Sequence, residues 1–284
     1  MNRLSLFATA VVCCASAFAQ GGPPPVIEIN REMLKEGRSA AHEKVEMDYA
    51  KAFRKANLGN HYLALEAVSG APEVWFVAAY QSFENVEKVL NDTTKPPIKN
   101  DLDLLEARDG ELRSGTRNLF AVYRPELSYR PDLVSVGKTR YVLIASFRVR
   151  LGQDAEFMET AKTYRAAQEK ANLNMPSLAY QVIAGSPEGL YVFIEPRESL
   201  KSMDEGPARQ KALMEAMGAE NFRNLMKSGG QMFASIESNM YSVNPRMSYV
   251  SKETEDVDPA FWRPKPPAPK PATEAKPKEA KPGQ

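Results

Sequence analysis

The chain reads as an α+β protein built from two tandem β-α-β-β-α-β units followed by a Pro-, Lys-, Ala- and Glu-rich tail. Three observations predict this. First, the sequence repeats at an offset of 115 residues: Val26 to Tyr80 aligns with Tyr141 to Glu195 without a gap, and 15 of the 55 pairs are identical. A random offset would give about three or four. Second, the hydrophobic periodicity in each copy changes from strand to helix and back in the same order. Third, the third strand of each copy, Val74-Trp75-Phe76-Val77-Ala78-Ala79 or Leu190-Tyr191-Val192-Phe193-Ile194, is apolar at every position. Such a strand needs cover on both faces.

Residues 1–19 precede the repeat and have the form of a secretory leader. Arg3 is followed by an apolar stretch from Leu4 to Cys14 and by Ala17-Phe18-Ala19 ahead of Gln20, a small-x-small cleavage pattern. The stretch is too short to span a bilayer. Lipidation at Cys13 or Cys14 is the alternative, although Ala10-Val11-Val12 lacks the small residue expected just ahead of a modified cysteine. Cleavage after Ala19 leaves no cysteine, which excludes disulfides, thiolate metal sites and a cysteine nucleophile. The expected localisation is exported, periplasmic or secreted.

After a linker at 20–25, unit 1 spans 26–130. It opens with a short strand, Val26 to Asn30, then Gly37 and a helix capped by Ser39 that runs to Asn57, a residue that tolerates left-handed geometry at a helix end. A hairpin follows, His61 to Val68 and then Val74 to Ala79, joined by Gly70-x-Pro72-Glu73. A second helical region breaks at Pro96-Pro97, and Asn118 to Tyr123 closes the unit. A linker at 131–138 leads to unit 2 at 139–250. There Tyr141 to Phe147, a helix capped by Asp154 and ending at Asn172, Leu178 to Ile183, Gly185-x-Pro187-Glu188, a helix from Pro207, and Ser238 to Val243 repeat the order. Pro125-x-Leu127-Ser128-Tyr129 likewise returns as Pro245-x-Met247-Ser248-Tyr249.

Residues 251–284 are expected to be a disordered tail, because Pro, Lys, Ala and Glu cannot bury apolar area. Phe261 and Trp262 are too apolar for a linker and are expected to pin its root to the core. From Asp258 on, six basic residues stand against three acidic, which suits a loose contact with the cell envelope. The whole chain carries 37 Lys and Arg against 36 Asp and Glu. Nothing in that balance points to nucleic acid.

The order β-α-β-β-α-β is the ferredoxin-like arrangement. With its doubly covered third strands, the chain resembles the dimeric α+β barrel superfamily over about 26–130 and 139–250, with two units fused in tandem. The resemblance implies that the two sheets make one α+β barrel and that ligands lie between a sheet and its helices. The superfamily it points to includes antibiotic-biosynthesis-type monooxygenases, haem proteins, chlorite-dismutase-like enzymes and stress-responsive barrels.

Site candidates are polar residues that do not belong on these faces. On the first helix His42, Glu46, Tyr49 and Phe53 recur at helical spacing, whereas their counterparts are Phe157, Ala161, Tyr164 and Gln168. A histidine one turn from a carboxylate suits proton transfer or axial haem ligation. An equally good stripe, Ala41, Val45, Tyr49, Ala52 and Ala56, would instead turn His42 to a surface edge. Tyr49 and Tyr164 mark either paired ligand sites or two core tyrosines. His61 reads as a partly exposed strand terminus. With Trp75 and Phe157, the residues His42, Tyr49 and Tyr164 form the expected ligand-contacting set. No metal site is expected, since two histidines cannot make a three-His site and the methionines read as gap-fillers. The function expected first is an exported, non-catalytic module for a small apolar molecule or a partner. The alternative is a cofactor-free monooxygenase-like or haem-binding oxidative enzyme with its site in unit 1. Intact-mass analysis of the exported protein is expected to place Gln20 at the mature N-terminus with no lipid adduct and no free thiol; a diacylglycerol mass would overturn this reading.

Overall fold

The computed structural model describes residues 22–264. The leader at 1–19 and the tail beyond Pro264 lie outside them. Unit 1 comprises β1 (Val26–Leu34), α1 (Ser39–Ala56), β2 (Tyr62–Ala67), β3 (Glu73–Tyr80), α2 (Phe83–Thr93), α3 (Ile98–Asp109) and β4 (Arg113–Tyr123). Unit 2 comprises β5 (Tyr141–Val149), α4 (Asp154–Lys170), β6 (Leu178–Ala184), β7 (Leu190–Arg197), α5 (Gly206–Met217), α6 (Ala219–Met232) and β8 (Phe233–Val243). Among the described residues no helix is long and apolar enough to cross a membrane.

The eight strands form one closed barrel in the order β1-β3-β2-β8-β5-β7-β6-β4, with every pair antiparallel. Alternate residues of each strand point inward. Ile27, Ile29, Leu65, Trp75 and Val77 of unit 1 therefore pack against Val142, Ile144, Tyr180, Val192 and Tyr241 of unit 2 in a single core. The helices cover the outside. The two stripes on α1 are both used: Val45 and Ala52 pack with Ile98 and Leu105 of α3, while the His42 face turns to the sheet.

The repeated Pro-x-Leu/Met-Ser-Tyr segments are reciprocal clasps between the units. Ser128 Oγ accepts the Ala179 N–H and Ser248 Oγ accepts the Ala64 N–H, both at 2.9 Å. The Tyr129 hydroxyl donates to the Leu173 carbonyl at the end of α4, and that of Tyr249 donates to the Leu58 carbonyl after α1. Each bond satisfies a buried backbone group that would otherwise cost free energy.

Several expectations are corrected. Ser39 and Asp154 are the first helical residues, and the cap positions, Arg38 and Gln153, make no side-chain cap bond. Asn57 and Asn172 are left-handed as expected, with φ of 49° and 50°. All eight residues of β3 are buried, but β7 is only half covered, because a cavity opens on its outer face. The register also shows that the ungapped alignment slips at the third strand, since Val26 pairs with Tyr80 whereas Tyr141 pairs with Arg197. The slip is two residues, one strand period, so inward and outward faces are preserved. The segment from 251 is helical at its root, in α7 (Lys252–Val257) and α8 (Pro259–Trp262). Trp262 is buried and donates its indole N–H to the Gly137 carbonyl, which anchors that root.

In isolation, residues 26–130 would expose β2 and β4 as bare edges, since their outer partners are β8 and β6. Size-exclusion chromatography with light scattering is expected to show this fragment as a homodimer or as aggregate; a stable folded monomer would contradict the closed barrel.

Candidate functional site

On β1 the residues that face the helices are Glu28, Asn30 and Glu32, polar where a covered strand face is normally apolar. With Glu46, Tyr49 and Phe53 of α1, Phe76 of β3, Glu106 of α3 and Arg113 of β4 they line a cavity of about 360 Å³. Its walls are aromatic, and at one end lies a buried charged cluster.

His42 is 1% exposed. Its Nε2 lies 2.7 Å from Glu32 Oε2, 3.5 Å from Asp109 Oδ1 and 3.8 Å from Glu46 Oε1. The expected partner one helical turn away is thus the most distant of the three. The strand residue Glu32 holds the ring instead. Arg113 donates to Glu32 Oε1 at 3.0 Å, places Nε 2.8 Å from Asp109 Oδ2, and reaches Glu106 with its other terminal nitrogen. Glu106 in turn accepts from the Tyr49 hydroxyl at 3.3 Å. Asp109 is 1% exposed, and neither of its oxygens accepts a well-aligned hydrogen bond, because the Arg113 contact is close but poorly directed.

Burial is the main cause that lifts the Asp109 carboxyl to about 6. Glu32 adds to the rise, and His42 and Arg113 oppose it. Burial also raises Glu46, reinforced by the charges of Glu32 and Asp109.

Unit 2 supplies the control for this cluster. The repeat offset carries Glu32, His42 and Glu46 to Phe147, Phe157 and Ala161. Across the last strand, Leu34 pairs with Arg113 as Val149 pairs with Phe233, which carries Arg113 to Phe233 and, four residues earlier, Asp109 to Gly229. All five replacements line the equivalent cavity of unit 2, which measures about 530 Å³. Tyr49 and Tyr164 face the two cavities at matching places. Phe157 packs against Tyr191 and Phe233. In unit 2 Glu195, raised by burial and paired with Arg197 at 2.8 Å, occupies the place of Ala78.

Trp75 lies elsewhere. It points into the barrel between Tyr241 and the Arg31 guanidinium, and neither it nor His42, which lies behind the charged floor, lines either cavity. His61 is half-buried against Tyr249 beside a crevice of about 10 Å³. The axial-ligand role does not fit His42 as it stands, since Nε2 faces three carboxylates rather than the open cavity. Glu32, Asp109 and Arg113 were not among the sequence candidates. Glu32 and Arg113 sit on strand ends that extend past the expected limits of Asn30 and Asn118. The polar alternation Glu28-Asn30-Glu32, against Leu143-Ala145-Phe147 in the second copy, is the signal that identifies this face.

No protein-family model matches the chain, and no curated protein does. Solved structures do match. A candidate monooxygenase from Fusobacterium nucleatum subsp. nucleatum superposes with a TM-score of 0.51 at 13% identity, over 78% of this chain and 93% of that one. An anthrone oxidase-like protein gives 0.51 at 12% identity, over 77% and 91%. The fold is that of the dimeric α+β barrels. Here both barrel halves come from one chain. The chlorite dismutase of Candidatus Nitrospira defluvii covers 82% of the chain at 8% identity, with a TM-score of 0.46.

Because the native Asp109 carboxyl sits at about 6, above its unfolded value near 3.9, the folded state binds more protons between those limits. Stability is therefore expected to fall as pH rises from about 4 to about 6, by at most about 1.4 kcal/mol per pH unit for this group. Urea unfolding of chelator-treated protein across that range checks it. Asp109→Asn, which leaves Glu32, Glu46, His42, Arg113 and Glu106 in place, is expected to flatten the slope.

Proposed function

We propose that this protein is an oxidative enzyme of the monooxygenase kind, acting on a small aromatic molecule held in the unit 1 cavity with its ionisable end against the charged floor. One observation carries the reading: five places hold ionisable residues in unit 1, four of them buried and Arg113 nearly so, and are apolar or glycine in unit 2, on the same fold. Burying three carboxylates is costly, and unit 2 is built without them, so scaffold stability does not account for them.

The cavity volume is at the lower end for small-molecule sites. Tyr49, Phe53, Tyr62 and Phe76 offer flat walls for one to three fused rings. The floor offers Glu32 and Glu46 as proton acceptors and Arg113 as a cation for the resulting oxyanion. The similarity in fold to an anthrone oxidase-like protein suggests the first substrates to test, aromatic ketones with an acidic ring methylene. Loss of a proton from that carbon and attack by dioxygen convert the methylene to a carbonyl and release one water. Both oxygen atoms are accounted for without an external reductant.

A second reading belongs to unit 2. Its larger cavity, walled by Phe147, Phe157, Phe193 and Phe233, suits non-catalytic binding of a small apolar molecule. The leader-like residues 1–19 support an exported, periplasmic or secreted site of action for both.

Oxygen uptake with a panel of anthrones and hydroquinones tests the proposal. His42→Phe, which installs the unit 2 residue, is expected to lower kcat at least about 100-fold in protein that remains folded. Binding of the panel without oxygen uptake, and with unchanged affinity in His42→Phe, would leave the non-catalytic module as the better account.

A further inference from the structure

The carboxylates of the charged floor are arranged in two layers. Glu32 and Asp109 each give their outer oxygen, Oε1 and Oδ2, to Arg113. Each turns its inner oxygen, Oε2 or Oδ1, toward His42 Nε2. Glu46 adds a third inner oxygen from the facing helix turn. One ring nitrogen carries at most one proton and can satisfy only one of these three acceptors. The Asp109 carboxylate, 1% exposed, is the group left without an aligned donor.

We propose that His42 Nε2 and the inner oxygens of Glu32, Glu46 and Asp109 bind one divalent first-row transition ion. The four donor atoms lie within 4.8 Å of one another. Ligand atoms about 2.1 Å from such an ion stand about 3 Å apart when adjacent and about 4.2 Å apart when opposite. Of the separations from His42 Nε2, 3.5 and 3.8 Å fall in that range and 2.7 Å, to Glu32, lies just below it. One imidazole with three carboxylates suits manganese, iron or zinc and not copper(I). Arg113 acts as the outer-layer group that fixes the rotation of two carboxylates, as ligand-orienting residues do in metal sites. Its charge offsets only one of the three anions, and the ion offsets the rest.

Glu32 and Glu46 also line the cavity, so two of the four proposed ligands border it. This deepens the proposed function and rests on it in one respect, that the floor is the reacting end. An ion there would act with Arg113 in holding the ionised substrate oxygen.

The test uses the full chain, stripped with EDTA and exchanged into metal-free buffer. Mn²⁺ is titrated by calorimetry and by loss of the free-ion EPR signal, and Co²⁺ by its visible ligand-field bands. One ion per chain is expected, with a rise in melting temperature on loading. His42→Phe and Asp109→Asn are each expected to weaken binding at least about 100-fold, and Arg113→Gln by about 10- to 100-fold. Should His42→Phe fail to fold, Glu46→Gln serves in its place, with at least about a 10-fold loss expected. Absence of binding at about 1 mM Mn²⁺, Co²⁺ and Zn²⁺, an affinity too weak for a built site, overturns the proposal. So does an affinity unchanged in the folded variants. Aromatic oxidation that proceeds equally with EDTA, in a protein that binds no ion, discards the metal and keeps the enzyme. An ion bound by a protein that oxidises nothing does the reverse.

Discussion

The pairing of each unit's open sheet edges with those of the other is the constraint on which the structure depends. β2 meets β8 and β4 meets β6, and the four-stranded sheets thereby become one barrel with no free edge. The clasps at Ser128-Tyr129 and Ser248-Tyr249 lock both seams by inserting each unit's trailing segment beside the other's hairpin. An eight-stranded barrel is just wide enough to be filled by its own side chains. Trp75, Tyr180 and Tyr241 fill it. Cavities therefore form outside the sheet, under the helices, one for each unit.

Those two cavities share backbone and differ in chemistry. Unit 2 packs Phe147, Phe157 and Phe233 where unit 1 buries Glu32 and His42 and places Arg113. Apolar packing is the cheaper solution for stability, since desolvating an ion costs several kcal/mol before its partners repay any of it. The duplicated chain follows the cheap course in one half and departs from it in the other, and the proposed function rests on that departure. The Asp109 carboxyl, lifted by burial and without an aligned donor, is where that departure is most evident.

Much of the fold was legible because it rests on periodic apolar burial and on turn chemistry, both local properties. The left-handed Asn57 and Asn172, the helix break at Pro96-Pro97, the doubly covered β3 and the anchoring Trp262 all follow from such rules. The site was half legible. His42, Glu46 and Tyr49 share a helix face that spacing alone identifies, and the face does turn to the sheet. Glu32 and Arg113 were missed because propensity locates strand ends poorly, and both lie on the terminal turns of pleat that only pairing with a neighbouring strand extends.

The sequence by itself determined the duplication, the element order, the helix-facing stripe on α1 and the asymmetry between the copies, since each is written in residues close together in the chain. Tertiary structure alone decided that Trp75 belongs to the barrel core and that His42 answers to Glu32 rather than Glu46. It alone brought Asp109, from the end of α3, onto His42 of α1, and Arg113, from the start of β4, onto Glu32 of β1, each more than sixty positions away. The physical reason is that spacing specifies which face of an element is buried, whereas the partner of a buried charge is chosen by the register between elements, which the barrel's closure sets.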